Sequence, residues 1–197
     1  AVYQRGGEVY WRADDSSASE TFGSYNYGFY GLDAGVCTRI GWMGTGIWST
    51  NSCSFFVQRG GMFTASGGLS MGGKGYAEMY VGGGTNISHN ITLGTDSDYP
   101  QADGATLTVE KGGVLWLGGN KRVQAVHTNG FCAVVNVNSD GKLTCGRITT
   151  AGKGSRHGSD VFLNFNGGVL RPSIAWGFTD QWEASGPDPT GGRVAGG

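Results

Sequence analysis

The feature that most constrains this chain is a glycine pair set between two runs of alternating residues. In Ala105–Gly118, ATLTVEKGGVLWLG, Leu107 and Val109 alternate with Thr106, Thr108 and Glu110. Beyond Gly112 and Gly113 the alternation resumes with Leu115 and Leu117. Every second residue can therefore face one core, which is the period of a strand and not of a helix. The same unit recurs as VQRGGMF at Val57–Phe63, VNSDGKL at Val137–Leu143, FNGGVL at Phe165–Leu170 and YQRGGEV at Tyr3–Val9. A looser copy surrounds Gly82, Gly83 and Gly84.

These landmarks set a coil of about 27 residues, with two coils between Gly7 and Gly61, and a period in that range marks a solenoid. The predicted coil has a strand, a glycine corner at Gly60-Gly61, Gly112-Gly113, Gly141 or Gly167-Gly168, and a second strand ending at another glycine such as Gly72, Gly118 or Gly146. A variable polar link, such as Thr95–Gly104 or Ala151–Ser159, then leads to the next coil. Glycine suits such corners because it tolerates positive φ and leaves room for the coil stacked above. No window carries an apolar stripe of helical period. The expectation is an all-β solenoid over residues 1–185, less regular and more aromatic over 8–54, with a linker or cut end at 186–197, where Pro and Gly replace the alternation.

Glycine supplies 39 of 197 residues without a G-X-Y period, so the excess serves turns and not a collagen helix. Enough apolar material remains (38%) to build a core. Fourteen Lys and Arg balance fifteen Asp and Glu with no long run of either sign, which argues against nucleic-acid and anionic-membrane partners. Nothing approaches a membrane-spanning apolar stretch, and the absence of a leader pattern predicts either a removed leader or an internal piece. Cys37, Cys53, Cys132 and Cys145 form no zinc pattern. Two readings stay open for them: four buried thiols, or disulfides joining Cys37 to Cys53 and Cys132 to Cys145.

The stretches ATLTVEKGGVLWLG, FFVQRGGMFTASGGLSMG and LNFNGGVLRP resemble the strand repeats of bacterial autotransporter passengers and related giant surface proteins. The resemblance covers residues 55–172 and, more modestly, the first twelve. It implies a single-stranded right-handed parallel β-helix and an exported, extended protein at the cell surface or outside the cell, used in adhesion or as a stalk.

Such helices also carry polysaccharide lyases and glycoside hydrolases, which need convergent carboxylates, or a base and a metal. The acidic sets here are Asp96, Asp98 and Asp103 in one link, with Arg156, His157 and Asp160 in another. Both sit in settings where solvated loop charge is the ordinary explanation. The first set is also the one place where Ca²⁺ would find three carboxylates close together. Tyr25, Tyr27, Tyr30, Trp42 and Trp48 either fill a coil or form a platform for stacking sugars. Asn86 and Asn90 each open an N-x-[ST] acceptor pattern for N-glycosylation. No phosphate-loop order or nucleophile elbow is present. The sequence therefore predicts a rigid spacer or adhesin stalk without catalytic activity or a required cofactor. A carbohydrate-active enzyme or glycan-binding module is the alternative, and a subunit self-associating through its solenoid ends is the third reading.

Overall fold

The structure is a computed structural model that describes residues 1–12, 20–23, 25–46, 49–94, 104–127, 132–152 and 160–173. Its strands, in chain order, group into coils. The first holds β1 (Val2–Arg12) and β2 (Glu20–Phe22), and the second β3 (Tyr27–Ile40) and β4 (Met43–Thr45). Next come β5 (Cys53–Gln58), β6 (Met62–Ala65) and β7 (Leu69–Met71), then β8 (Tyr76–Val81), β9 (Thr85–Ile87) and β10 (Ile91–Leu93). The fifth coil is β11 (Gly104–Val109), β12 (Val114–Trp116) and β13 (Arg122–His127), and the sixth β14 (Cys132–Asn138), β15 (Lys142–Cys145) and β16 (Arg147–Gly152). β17 (Asp160–Asn166) and β18 (Val169–Pro172) close the described chain. No helix occurs among the described residues, so none is long and apolar enough to cross a membrane.

Each strand pairs in parallel with its counterpart one coil away, in a β-solenoid of about 28 residues per coil. The first face runs β1, β3, β5, β8, β11, β14, β17, and the third runs β2, β4, β7, β10, β13, β16. The second face follows the order β3, β6, β9, β12, β15, β18. Because β1 and β3 continue around the corner between the first two faces, those faces form one folded sheet.

The third face was not legible as a face of its own. Leu69–Met71, which the repeat reads as the end of a second strand before Gly72, is the third-face strand β7, alongside β10, β13 and β16, whereas Gly118 follows a second-face strand. The first coils also belong fully to the stack. Their alternation is obscured because β3 turns a corner at Gly35, whose φ of +89° no alternating pattern announces.

Inside, side chains stack in columns. Phe56, Met79, Leu107 and Val135 are consecutive neighbours along the axis, and all are buried. A second column, Ser54, Ala77, Ala105, Ala133, is small because the corner glycines of the third face press on it. A methyl group placed on Gly72 would lie 3.2 Å from the Ala105 Cβ. On the second face Phe63, Leu115 and Leu143 are fully buried, and Leu170 in the last coil packs partly against them.

The glycine corners stack along one edge, as main-chain hydrogen bonds from one coil to the next show: Thr85 N–H donates to Gly61 O, Val114 to Gly84, Lys142 to Gly113 and Val169 to Gly141. A methyl on Gly61 would meet Gly35 O at 2.5 Å, and one on Gly168 would meet Asn138 O at 2.5 Å. At Gly61, Gly113, Gly141 and Gly168 the neighbouring coil leaves no space for a side chain.

Candidate functional site

With the apolar columns turned inward, function has to be carried on the outer faces. The outward positions of the first face change character along the axis. Near the start they are aromatic. Tyr27, Phe55 and Tyr76 form a chain of rings with centroids 5.7 and 6.2 Å apart, and Tyr3 meets Phe29 at 4.9 Å. Toward the end they are hydroxyls and amides. Asn164 Nδ2 donates to Asn136 Oδ1 at 2.8 Å, and Asn136 Nδ2 donates to Thr108 Oγ1 at 3.1 Å. Parallel in-register stacking puts like positions one rung apart, so side-chain amides chain along the axis as backbone amides do.

Where the two regions meet lies Glu110. Its carboxylate accepts from Asn138 Nδ2 at 2.8 Å and from Tyr80 OH at 2.9 Å, with Lys111 Nζ 3.4 Å away. Those hydrogen bonds, Asn138 first and Tyr80 next, hold the Glu110 carboxyl below the usual carboxylate range. Burial, followed by the carboxylate beside it, pushes the Tyr80 phenol up. Glu78 is engaged in the same way, accepting from Tyr76 OH at 3.4 Å while that hydroxyl also reaches Thr106 Oγ1 at 3.2 Å. Asp33 lies between two guanidinium groups, 2.7 Å from Arg59 and 3.9 Å from Arg5. Glu110 and Asp33 thus tie one coil to another, whereas the Glu78 contact stays within β8.

Two aromatic side chains on the outside reach over glycines. The Tyr80 ring covers the Cα of Gly82, and the six-membered ring of Trp116 covers Gly118. Trp116 remains 45% exposed, between Ile87 and Thr144 on neighbouring rungs. A ring seated on glycine with its other side open is a surface on which the C–H face of a pyranose can stack.

The residues singled out from sequence fare differently. Tyr27 and Tyr25 are exposed, and Tyr27 joins the aromatic chain. Tyr30 cannot stack on a ligand. It is 2% exposed, packs on Phe56 and donates its hydroxyl to Gln4 Oε1 at 2.8 Å, because its strand position is an inward one. Trp42 is half-buried, with Nε1 donating to Ser70 Oγ at 2.9 Å. Trp48, Asp96, Asp98, Asp103, Arg156, His157 and the 186–197 tail lie outside the described residues; Asp160 opens β17, its side chain outside the description. Among the described residues no three His, Cys, Asp or Glu side chains converge as metal ligands would. Asn86 points into the core with its amide hydrogen-bonded, which closes it to glycosylation in the folded chain.

No disulfide joins Cys37, Cys53, Cys132 or Cys145 in this structure. The coil geometry gives the reason. Cys37 and Cys145 are inward residues of the second face, whereas Cys53 and Cys132 begin strands of the first face. Phe55, Tyr76, Tyr80 and Trp116 escaped the sequence reading. The signal available for two of them was an aromatic residue two positions before glycine in a strand, the pattern of Tyr80-Gly82 and Trp116-Gly118.

No protein-family model, curated protein or solved structure matches this chain. What the fold and the surface define is a class: a parallel β-solenoid with an aromatic-to-amide outer face.

Proposed function

We propose that this chain is a structural and adhesive segment of an exported surface protein, a rigid spacer that presents its outer faces to other surfaces. The observation that carries this reading is the axial direction of the outer polar contacts. The ladders Asn164–Asn136–Thr108 and Asn166–Asn138–Glu110, the Arg5–Asp33–Arg59 string and the Thr64–Thr38 hydroxyl pair spend polar side chains on joining coils. Such cross-coil bonds stiffen a rod and leave those groups less free for proton transfer. Repetition of weak outer contacts along the rod then supplies avidity.

The test is a screen of the purified chain against acidic and neutral polysaccharides for both binding and cleavage, with Asp98→Ala and Asp160→Ala alongside. Retention without turnover is the expected result. Turnover abolished by either substitution would replace the spacer with an enzyme.

A second reading, glycan binding through defined stacking sites, is favoured by the seating of Trp116 and Tyr80 over glycines and by the exposure of Trp116. Under it, Trp116→Ala weakens retention on immobilised neutral oligosaccharides while the melting temperature changes little. Equal retention by the variant counts against it.

A further inference from the structure

The two ends of the described stack are chemically complementary. In mid-rod the last inward position of the first face is sealed, with Val81, Val109 and Val137 each 0% exposed. The equivalent residue of the last coil, Phe165, is 41% exposed. At the other end Val9, whose stacking neighbour Cys37 is 0% exposed, is itself 39% exposed. Together with Val2, Trp11 and Tyr30 it lines a depression of about 360 Å³. Inward-pointing apolar side chains that meet water at both ends forgo the burial their columns provide elsewhere.

The corner column adds direction. The residue after the last inward position reads, coil by coil, Arg5, Asp33, Arg59, Gly82, Glu110, Asn138, Asn166. From Glu110 onward each donor points back toward the N-terminal end, with Asn166 Nδ2 donating to Asn138 Oδ1 at 3.0 Å. The Asn166 Oδ1 acceptor at the far end receives no donor among the described residues. At the near end the Arg5 side chain, a cationic donor, is 82% exposed and lies 3.9 Å from Asp33.

Gly6 gives an independent sign. At the interior corners a methyl on Gly60 would strike Asp33 O, and one on Gly83 would strike Arg59 O, so a stacked coil explains both glycines. Gly6 has no positive φ, and a methyl there meets nothing within 4 Å. Its place in the repeat is one where a preceding coil would press.

We propose that a second copy of this chain stacks head to tail on the first. The free edge of β1 pairs in parallel with β17 and β18 of the other copy, Phe165 and Leu170 stack on Gln4 and Val9 in the register the interior coils follow, and Arg5 donates to Asn166. The contact joins two different surfaces, so it propagates into a filament and does not close as a two-fold dimer. This goes beyond the spacer reading, which needs only one copy.

The experiment is sedimentation velocity of the 197-residue chain across a wide concentration range, with electron microscopy of the concentrated sample. Species growing past the dimer are expected. Gly6→Leu, placed in open space of the single chain, should block association while circular dichroism and melting stay unchanged. Arg5→Glu should weaken association about tenfold or more, and adding Asn166→Arg to it should restore the lost affinity. A monomer at every concentration, a closed dimer, association untouched by Gly6→Leu, or failure of the Asn166→Arg rescue would each overturn the proposal.

Discussion

Asn86 and Gln58 meet inside the rod, Asn86 Nδ2 donating to Gln58 Oε1 at 3.0 Å with both side chains fully buried. The Gln58 amide donates in turn to Thr85 O at 3.0 Å and Gly61 O at 3.3 Å, and Ser88 Oγ donates to Asn86 Oδ1 at 2.5 Å. Gln4 serves the first corner similarly, donating to Val36 O at 2.9 Å and Gly7 O at 3.3 Å. Buried amides here satisfy main-chain carbonyls that the turn leaves exposed to the core.

Gln58→Leu should therefore destabilise by about 1–3 kcal/mol for each buried polar group it orphans. Adding Asn86→Leu should cost less than the two single changes summed, because both partners of one bond are then gone. Denaturant midpoints of the two singles and the double decide it. Strict additivity would show that the two amides do not act together.

The corner glycines separate two physical costs. Gly112 has φ +81° and open space around its Cα, so Gly112→Ala tests backbone strain alone, about 1–2 kcal/mol. Gly113 has no positive φ, but its methyl would collide with Val81 O, so Gly113→Ala tests coil stacking alone. The Gly113 variant should melt lower, since main chain on both sides must move. If the Gly112 variant melts lower instead, backbone strain outweighs stacking at this corner.

The folded Glu110 carboxyl titrates below its unfolded value, chiefly through the Asn138 hydrogen bond. A depressed carboxylate contributes stability that is present above the unfolded value and is lost as pH falls through the folded one. Asn138→Ala should move the Glu110 titration upward, toward an ordinary carboxylate, in a side-chain carbon NMR titration. An unmoved titration would remove Asn138 as the cause.

Burial pushes the Cys145 thiol up to about 12 and raises that of Cys37 as well. Both should resist iodoacetamide in the native state at neutral pH, since the thiolate is the nucleophile. The half-buried Cys53 and Cys132 should label first, as read by mass spectrometry, and reductant should leave the melting temperature unchanged. A reductant-sensitive melt would show disulfides in place of thiols.

The sequence by itself determined the element type and the main core. Alternation in Leu107, Val109, Leu115 and Leu117 placed these side chains inward, and the glycine pairs marked a corner, because period and turn chemistry are local properties. Which residues share an outer rung was decided only by the tertiary structure. Leu69, Ile91 and Val123 are neighbours in the stack although unequal links separate them, so one repeat length could not align the third face. The same holds for the outer surface. Tyr27, Phe55 and Tyr76 become a ring chain, and Glu110 gains Tyr80 and Asn138, only when separate coils lie in register. Gln58 and Asn86 read as surface residues in isolation and are core residues in the fold, because the carbonyls that pair with them come from the corner between coils.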